Sequence, residues 1–237
     1  MLMIVLTLIL NLVGAAGDVL VSAVSASAQA PAVTSERFDM VVRTDFFAGF
    51  AGDATRLARG MATCEQYLAA NPDHAEALVW HGGGLVFQAG QAFRQGDATR
   101  GGELWSRGLA EMQRAVALEP NNIGVRVPRG AVLLQASRGL PDEGRRPILE
   151  LAVGDYERAL ALQTPYFANL SEHARGQLLF GLADGSARLG RLDKAREYFN
   201  RLVTDAPDSA LTPRARQWLT DGTLPAETGL GCVGCHK

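Results

Sequence analysis

Six residues at the C-terminal end of the 237-residue chain carry the most specific chemistry in it: Cys232-Val233-Gly234-Cys235-His236-Lys237. Cys-x-x-Cys-His is the attachment pattern of a c-type haem. The spacing suits one porphyrin. Two thiols a single turn apart, Cys232 and Cys235, reach its two vinyl groups as thioethers, and the adjacent imidazole of His236 becomes the proximal iron ligand. The expected cofactor is therefore one covalent haem c.

Three other readings compete. A Cys-x-x-Cys pair is also a redox dithiol, but that motif opens a helix in a strand–helix fold, and no strand pattern is present. A zinc site needs four ligands and the tail offers three. The third is a tail that never receives haem, since the chain ends one residue after the histidine. The chain has three cysteines in all, so two of them falling in this pattern by chance is improbable.

A haem of this kind is attached outside the cytoplasm, and the opposite end of the chain reads accordingly. Met1 to Val13 are almost wholly apolar, and Ala26-Ser27-Ala28 fits a small-x-small cleavage site. Residues 1–28 are read as an export signal, which makes the mature protein periplasmic or otherwise exported with no membrane span. The signal is atypical, with no Lys or Arg before Arg37. An uncleaved segment 1–28 acting as a membrane anchor is the alternative, although the apolar run is short for a span and Asp18 interrupts its continuation.

Between these ends the composition is helical: rich in Ala, Gly, Leu and Arg, with few β-branched or aromatic runs. The net charge of −2 is spread over mixed Arg, Asp and Glu. No basic stripe with interleaved aromatics exists, which argues against nucleic-acid binding. No Ser-His-Asp arrangement, phosphate-cradling glycine loop or persuasive carboxylate pair is present, so no catalytic residue and no enzyme activity are expected. Asp53, Asp155 and Asp193 follow or neighbour glycines in what read as inter-helix turns.

The chain also repeats itself. Pro72, Pro120, Pro165 and Pro207 each close a helical segment. Gly60-x3-Cys64, Gly108-x3-Met112 and Ala195-x3-Phe199 stand at one fixed distance before three of them, a small residue followed one turn later by a large apolar one. The Pro165 unit keeps an apolar face but lacks this step. Gly190-Arg191-Leu192-Asp193-Lys194-Ala195 through Pro207, and Trp80-x2-Gly83-Gly84-x2-Phe87, resemble the second and first helices of the tetratricopeptide (TPR) repeat. The proline spacings of 48, 45 and 42 residues exceed the family's repeat of about 34. The resemblance implies an all-α fold, a TPR-like stack of antiparallel helix pairs over residues 40–219, and protein partners on the repeat surface. Residues 95–102 and 137–144 read as the long loops that take up the extra length.

Within the stack, His81-Gly82-Gly83-Gly84 carries glycines that cost about 1 kcal/mol each in helix propensity, a cost that close packing or a flat docking surface would have to offset. Residues 210–219 read as a final capping helix. Asp221-Gly222-Thr223 breaks it, and residues 220–237 read as a flexible strap bearing the haem motif. His74, His81, His173, Met40, Met61 and Met112 are the residues able to supply a sixth iron ligand. His81, beside the glycines, is the preferred one. Cys64 sits at a core position and reads as a buried thiol. These readings combine into an exported TPR-like protein with one haem c, acting in periplasmic electron transfer or redox-protein assembly. A non-redox scaffold or adaptor and a cytochrome c maturation chaperone are the alternatives.

Overall fold

The computed structural model describes residues 37–223, which lie in one compact unit. All of the secondary structure among these residues is helical: α1 (Phe38–Phe50), α2 (Ala54–Ala70), α3 (Ala75–Arg94), α4 (Ala98–Leu118), α5 (Ile123–Ala136), α6 (Asp142–Gln163), α7 (Glu172–Arg188), α8 (Leu192–Asp205) and α9 (Thr212–Asp221). Consecutive helices pack on one another, with α3 on α4, α5 on α6 and α7 on α8 the most extensive pairs. The odd-numbered helices also touch in sequence, α1 to α3, α3 to α5 and α5 to α7.

The helix ends follow from local chemistry. Asp53, Asp97 and Ser171 accept a backbone N–H three residues on, and the ring of His74 does the same for Ala77. Asn71, Glu119 and Ala206 end α2, α4 and α8 in extended or irregular backbone one residue before each proline, as the restriction on pre-proline residues requires. Three turns inside the pairs share one geometry. Gly52, Gly96 and Gly190 take positive φ of 114°, 84° and 76°. The residue after each glycine donates its N–H back into the helix: Asp53 to Ala48 O, Asp97 to Ala92 O and Arg191 to Ser186 O, at 2.9–3.0 Å. These are the paired terminal bonds that a left-handed residue makes possible.

Two expected loops are shorter than the sequence suggested. Residues 98–102 belong to α4 because Asp97 caps it, and Gly101 gives the ring of Phe93 room to lie against the helix. In the other, Ser137–Gly139 form a 3-10 turn and α6 starts at Asp142.

The core follows the small-to-large pattern. Cys64, Met112 and Phe199 are at most 1% exposed. Gly108 and Gly82 face each other where α4 crosses α3, and a Cβ on either would lie 2.7 Å from the carbonyl oxygen of the other. The third unit has the same step, shifted by one residue: Ala152 and Tyr156 are buried on α6, and Gly130 of α5 lies against both. The step is hidden in the sequence because Tyr156 stands nine residues before its proline, whereas Cys64, Met112 and Phe199 stand eight before theirs. Tyr67 is 40% exposed and packs edge-on against Phe38 and His74.

Asp155 is not in a turn. It lies inside α6, fully buried, where Arg129 of α5 grips both its oxygens at 2.6 and 2.8 Å and Arg126 adds a third bond at 2.7 Å. At the far end Trp218 of α9 covers Phe199, ring centroids 4.7 Å apart. Gly222, in left-handed conformation with φ 74°, ends α9, and Asp221 accepts from both the N–H and the hydroxyl of Thr223.

The expectation of a membrane-anchored form is withdrawn: no helix among the described residues is long and apolar enough to cross a membrane. The export segment 1–28, on which that expectation rested, lies outside the described residues, as does the haem motif at 232–236.

Candidate functional site

The three consecutive glycines of α3 serve three different faces, as steps of 100° around a helix require. Gly82 meets α4. Gly84 faces Met61 of α2 and Phe46 of α1. Gly83 faces α5, where a Cβ would come 3.1 Å from Val132, and it lies in the wall of a large groove. Close packing therefore accounts for this run, and Gly83 in addition borders the groove.

The groove has a volume of about 1100 Å³, at the upper end of the range of about 300–1,000 Å³ for ligand and cofactor pockets. Its floor is the stripe of α3 running through Trp80, Gly83, Phe87, Gly90 and Arg94, with i,i+3 and i,i+4 spacing. Phe47 and Phe50 of α1 close one end. Val127, Ala131 and Gln135 of α5 form a second wall, and Phe180 and Asp184 of α7 with Leu211 and Arg214 form the other end. Phe93 and Trp105 stand at the rim. The lining is thus aromatic, with a few polar groups placed around it.

Three of those groups are arginines. Arg94 lies at the exposed end of α3. Arg138 donates to the buried carboxylate of Asp184 at 2.8 Å, and Arg214 lies 4.6 Å above the ring of Phe180. The indole N–H of Trp80 is buried without a hydrogen-bond partner among the described residues. A flat apolar group with acidic substituents suits such a lining: ring walls for its plane, guanidinium groups for its carboxylates. A haem has that form.

The residues proposed from sequence as iron ligands lie elsewhere. His81 is 1% exposed, with Nδ1 2.5 Å from Glu111 of α4 and Nε2 3.5 Å from Glu65 of α2. It faces the packed side of α3 and does not line the groove. His74 caps α3 with its Nδ1, and His173 is half-buried in the first turn of α7. Met61 and Met112 are buried and Met40 is 45% exposed. Cys64 is fully buried, and burial pushes its thiol pKa well up, which keeps it protonated and unreactive. Among the described residues no group of three or more His, Cys, Asp or Glu is arranged to hold a metal ion.

The groove was not foreseen from sequence, since its lining comes mainly from alternate helices, roughly 30 to 50 residues apart along the chain. One signal was available. Gly-Asp-Ala-Thr-Arg occurs identically at 52–56 and 96–100. It marks two equivalent turns, and so places α1 and α3 as equivalent members of successive pairs, neighbours on one face.

No protein-family model, no curated protein and no solved structure matches the chain.

Proposed function

We propose that this is an exported, TPR-like helical-repeat protein that carries one haem c on Cys232 and Cys235, with His236 as the proximal iron ligand. It exchanges electrons with a protein partner that docks on the helical surface. The observation that carries this reading is the Cys-x-x-Cys-His sequence at 232–236. Attached there, the haem supplies a one-electron iron couple. The chain's own residues do the rest. The two thiols would fix the group to the tail, and the imidazole would ligate its iron. The alternation of paired helices, with glycine-ended turns inside the pairs, is the feature that supports the repeat reading.

The test is expression of the full chain in a bacterium that matures other c-type cytochromes. The expected product is red, and its colour stays with the polypeptide through denaturing electrophoresis. Cys235→Ala should weaken or abolish that retention. A colourless full-length protein from a strain that matures a control cytochrome would reject the reading.

A further inference from the structure

The tail that bears the haem motif and the groove that suits a haem are close along the chain. Leu211 and Arg214, just before and within the first turn of α9, line the groove. Helix α9 has ten residues and is about 15 Å long. From Thr223, two residues beyond its end, Cys232 is nine residues on, a reach of at most about 30 Å. The tether is therefore long enough to turn back along α9 and lay a group attached at Cys232 and Cys235 against α3 and α5. Charge favours this too. The groove lining holds three arginines, Arg94, Arg138 and Arg214, against one carboxylate, Asp184, and a haem brings two propionates.

A second feature follows from the same lining. Among the described residues that form the groove there is no His, Met or Cys. Such side chains are the usual source of a sixth ligand to a c-type haem. The aromatic rings of Trp80 and Phe87 offer contact but no strong iron ligand.

Resting on the haem reading above, we propose that the groove between α1, α3, α5 and α7 receives the haem borne on this chain's own residues 224–237. The described lining would offer the docked haem no His, Met or Cys as a sixth ligand, which would leave its distal position open to a small diatomic molecule. The proposed site thus adds ligand binding to electron exchange.

The experiment uses the full-length haem protein at low concentration and three observables. The first is covalent haem, by mass. The second is paramagnetic broadening, by the ferric iron, of the indole N–H resonances of Trp80 and Trp105, with the protein lacking both tail thiols (Cys232→Ala, Cys235→Ala) as the diamagnetic reference. The third is the ferric spin state and the binding of carbon monoxide to the ferrous form. Both indole signals should be lost in the haem protein. They should return in Gly90→Leu, which fills the groove where a Cβ comes no closer than 3.4 Å to the end of the Arg94 side chain, and in Arg94→Glu, which reverses an exposed charge. Circular dichroism shows whether these two variants keep the helical fold, and the absorption spectrum shows whether they keep haem. The ferric protein should be high-spin, its ferrous form should bind carbon monoxide, and His81→Ala should change neither.

Haem attached with both indole signals sharp overturns the docking while leaving the haem reading intact. Broadening that grows with protein concentration assigns the groove to the tail of a second copy and overturns the intramolecular proposal. A low-spin ferric spectrum in the dilute protein overturns the open distal position. A colourless protein of bare polypeptide mass overturns both this proposal and the reading on which it rests.

Discussion

Helix α3 presents two contrasting sides. Toward α4 it closes backbone to backbone. Gly82 and Gly108 meet with no room for a Cβ, and Met112, one turn on, is 1% exposed. On the side that carries Trp80, Phe87 and Gly90, aromatic rings of α3 and α1 line about 1100 Å³ of space shared with α5 and α7. The difference lies in side-chain size at successive positions of one helix. Two glycines bring neighbours in. On a third face Trp80 and Phe87 stack against the rings of α1 and line the open space. The tight side gives stability and the open side gives room, so substitutions on the two sides should separate these properties.

The largest effects belong to equally closed packing farther along the stack, on α6 and α8. Removing the Asp155 carboxylate leaves the buried Arg129 guanidinium uncompensated, and Asp155→Ala should cost about 3–5 kcal/mol. Phe199→Ala, which empties the fully buried site beneath Trp218, should cost about 3–5 kcal/mol as well. Urea unfolding followed by circular dichroism measures both. A loss below about 1 kcal/mol, the size expected of surface changes, would show that these contacts are not closed. Phe93→Ala, at the groove rim with 45% of its surface exposed, is the matched control and should cost about 1 kcal/mol.

An intermediate effect sharpens the contrast between glycines. In Gly82→Ala the new methyl group would lie 2.7 Å from a backbone carbonyl, so overpacking of about 1–3 kcal/mol outweighs the helix-propensity gain of about 1 kcal/mol. Gly102, also helical, has nothing within 4 Å of a new Cβ. Gly102→Ala should stabilise by about 0.4–1 kcal/mol. Opposite signs of shift in melting temperature check the pair. The same sign for both would mean that α3 and α4 do not cross at Gly82.

These glycines show what could be read in advance. Composition and apolar spacing were enough for an all-α chain whose helices stop before Pro72, Pro120 and Pro207, because capping and pre-proline restrictions act locally. The small-to-large step was visible on α2, α4 and α8 for the same reason. On α6 it escaped notice through a one-residue shift before Pro165. Asp155 was misplaced because a glycine neighbour reads as a turn unless its buried arginine partners, 26 and 29 residues away, are known. The groove stayed invisible because its walls are long-range neighbours. His81 beside three glycines suggested an accessible ring, but its two carboxylate neighbours lie on α2 and α4, and no local pattern announces them.

The smallest expected effect concerns acid. Asp45 of α1 is bonded by Arg59 and Arg56 of α2; the hydrogen bond from Arg59 is the largest cause that holds its carboxyl below the ordinary value of 3.8. A folded-state pKa below the unfolded one stabilises at higher pH. The contribution is present above the ordinary value and is lost as pH falls through the folded one. Both arginines are partly exposed, so the effect is small. Asp45→Asn should lower stability slightly at pH 6 and flatten its fall below about pH 4. Parallel pH profiles for the variant and the parent would place the acid response elsewhere.

The central claim is covalent haem at Cys232 and Cys235, and intact-mass spectrometry of the full chain, coexpressed with a c-type cytochrome maturation system, tests it most directly. The expected mass is that of the mature polypeptide plus one haem, and of the bare polypeptide when both cysteines are replaced by alanine. Bare polypeptide mass in the parent protein, from cells that load haem onto a control cytochrome, would contradict it.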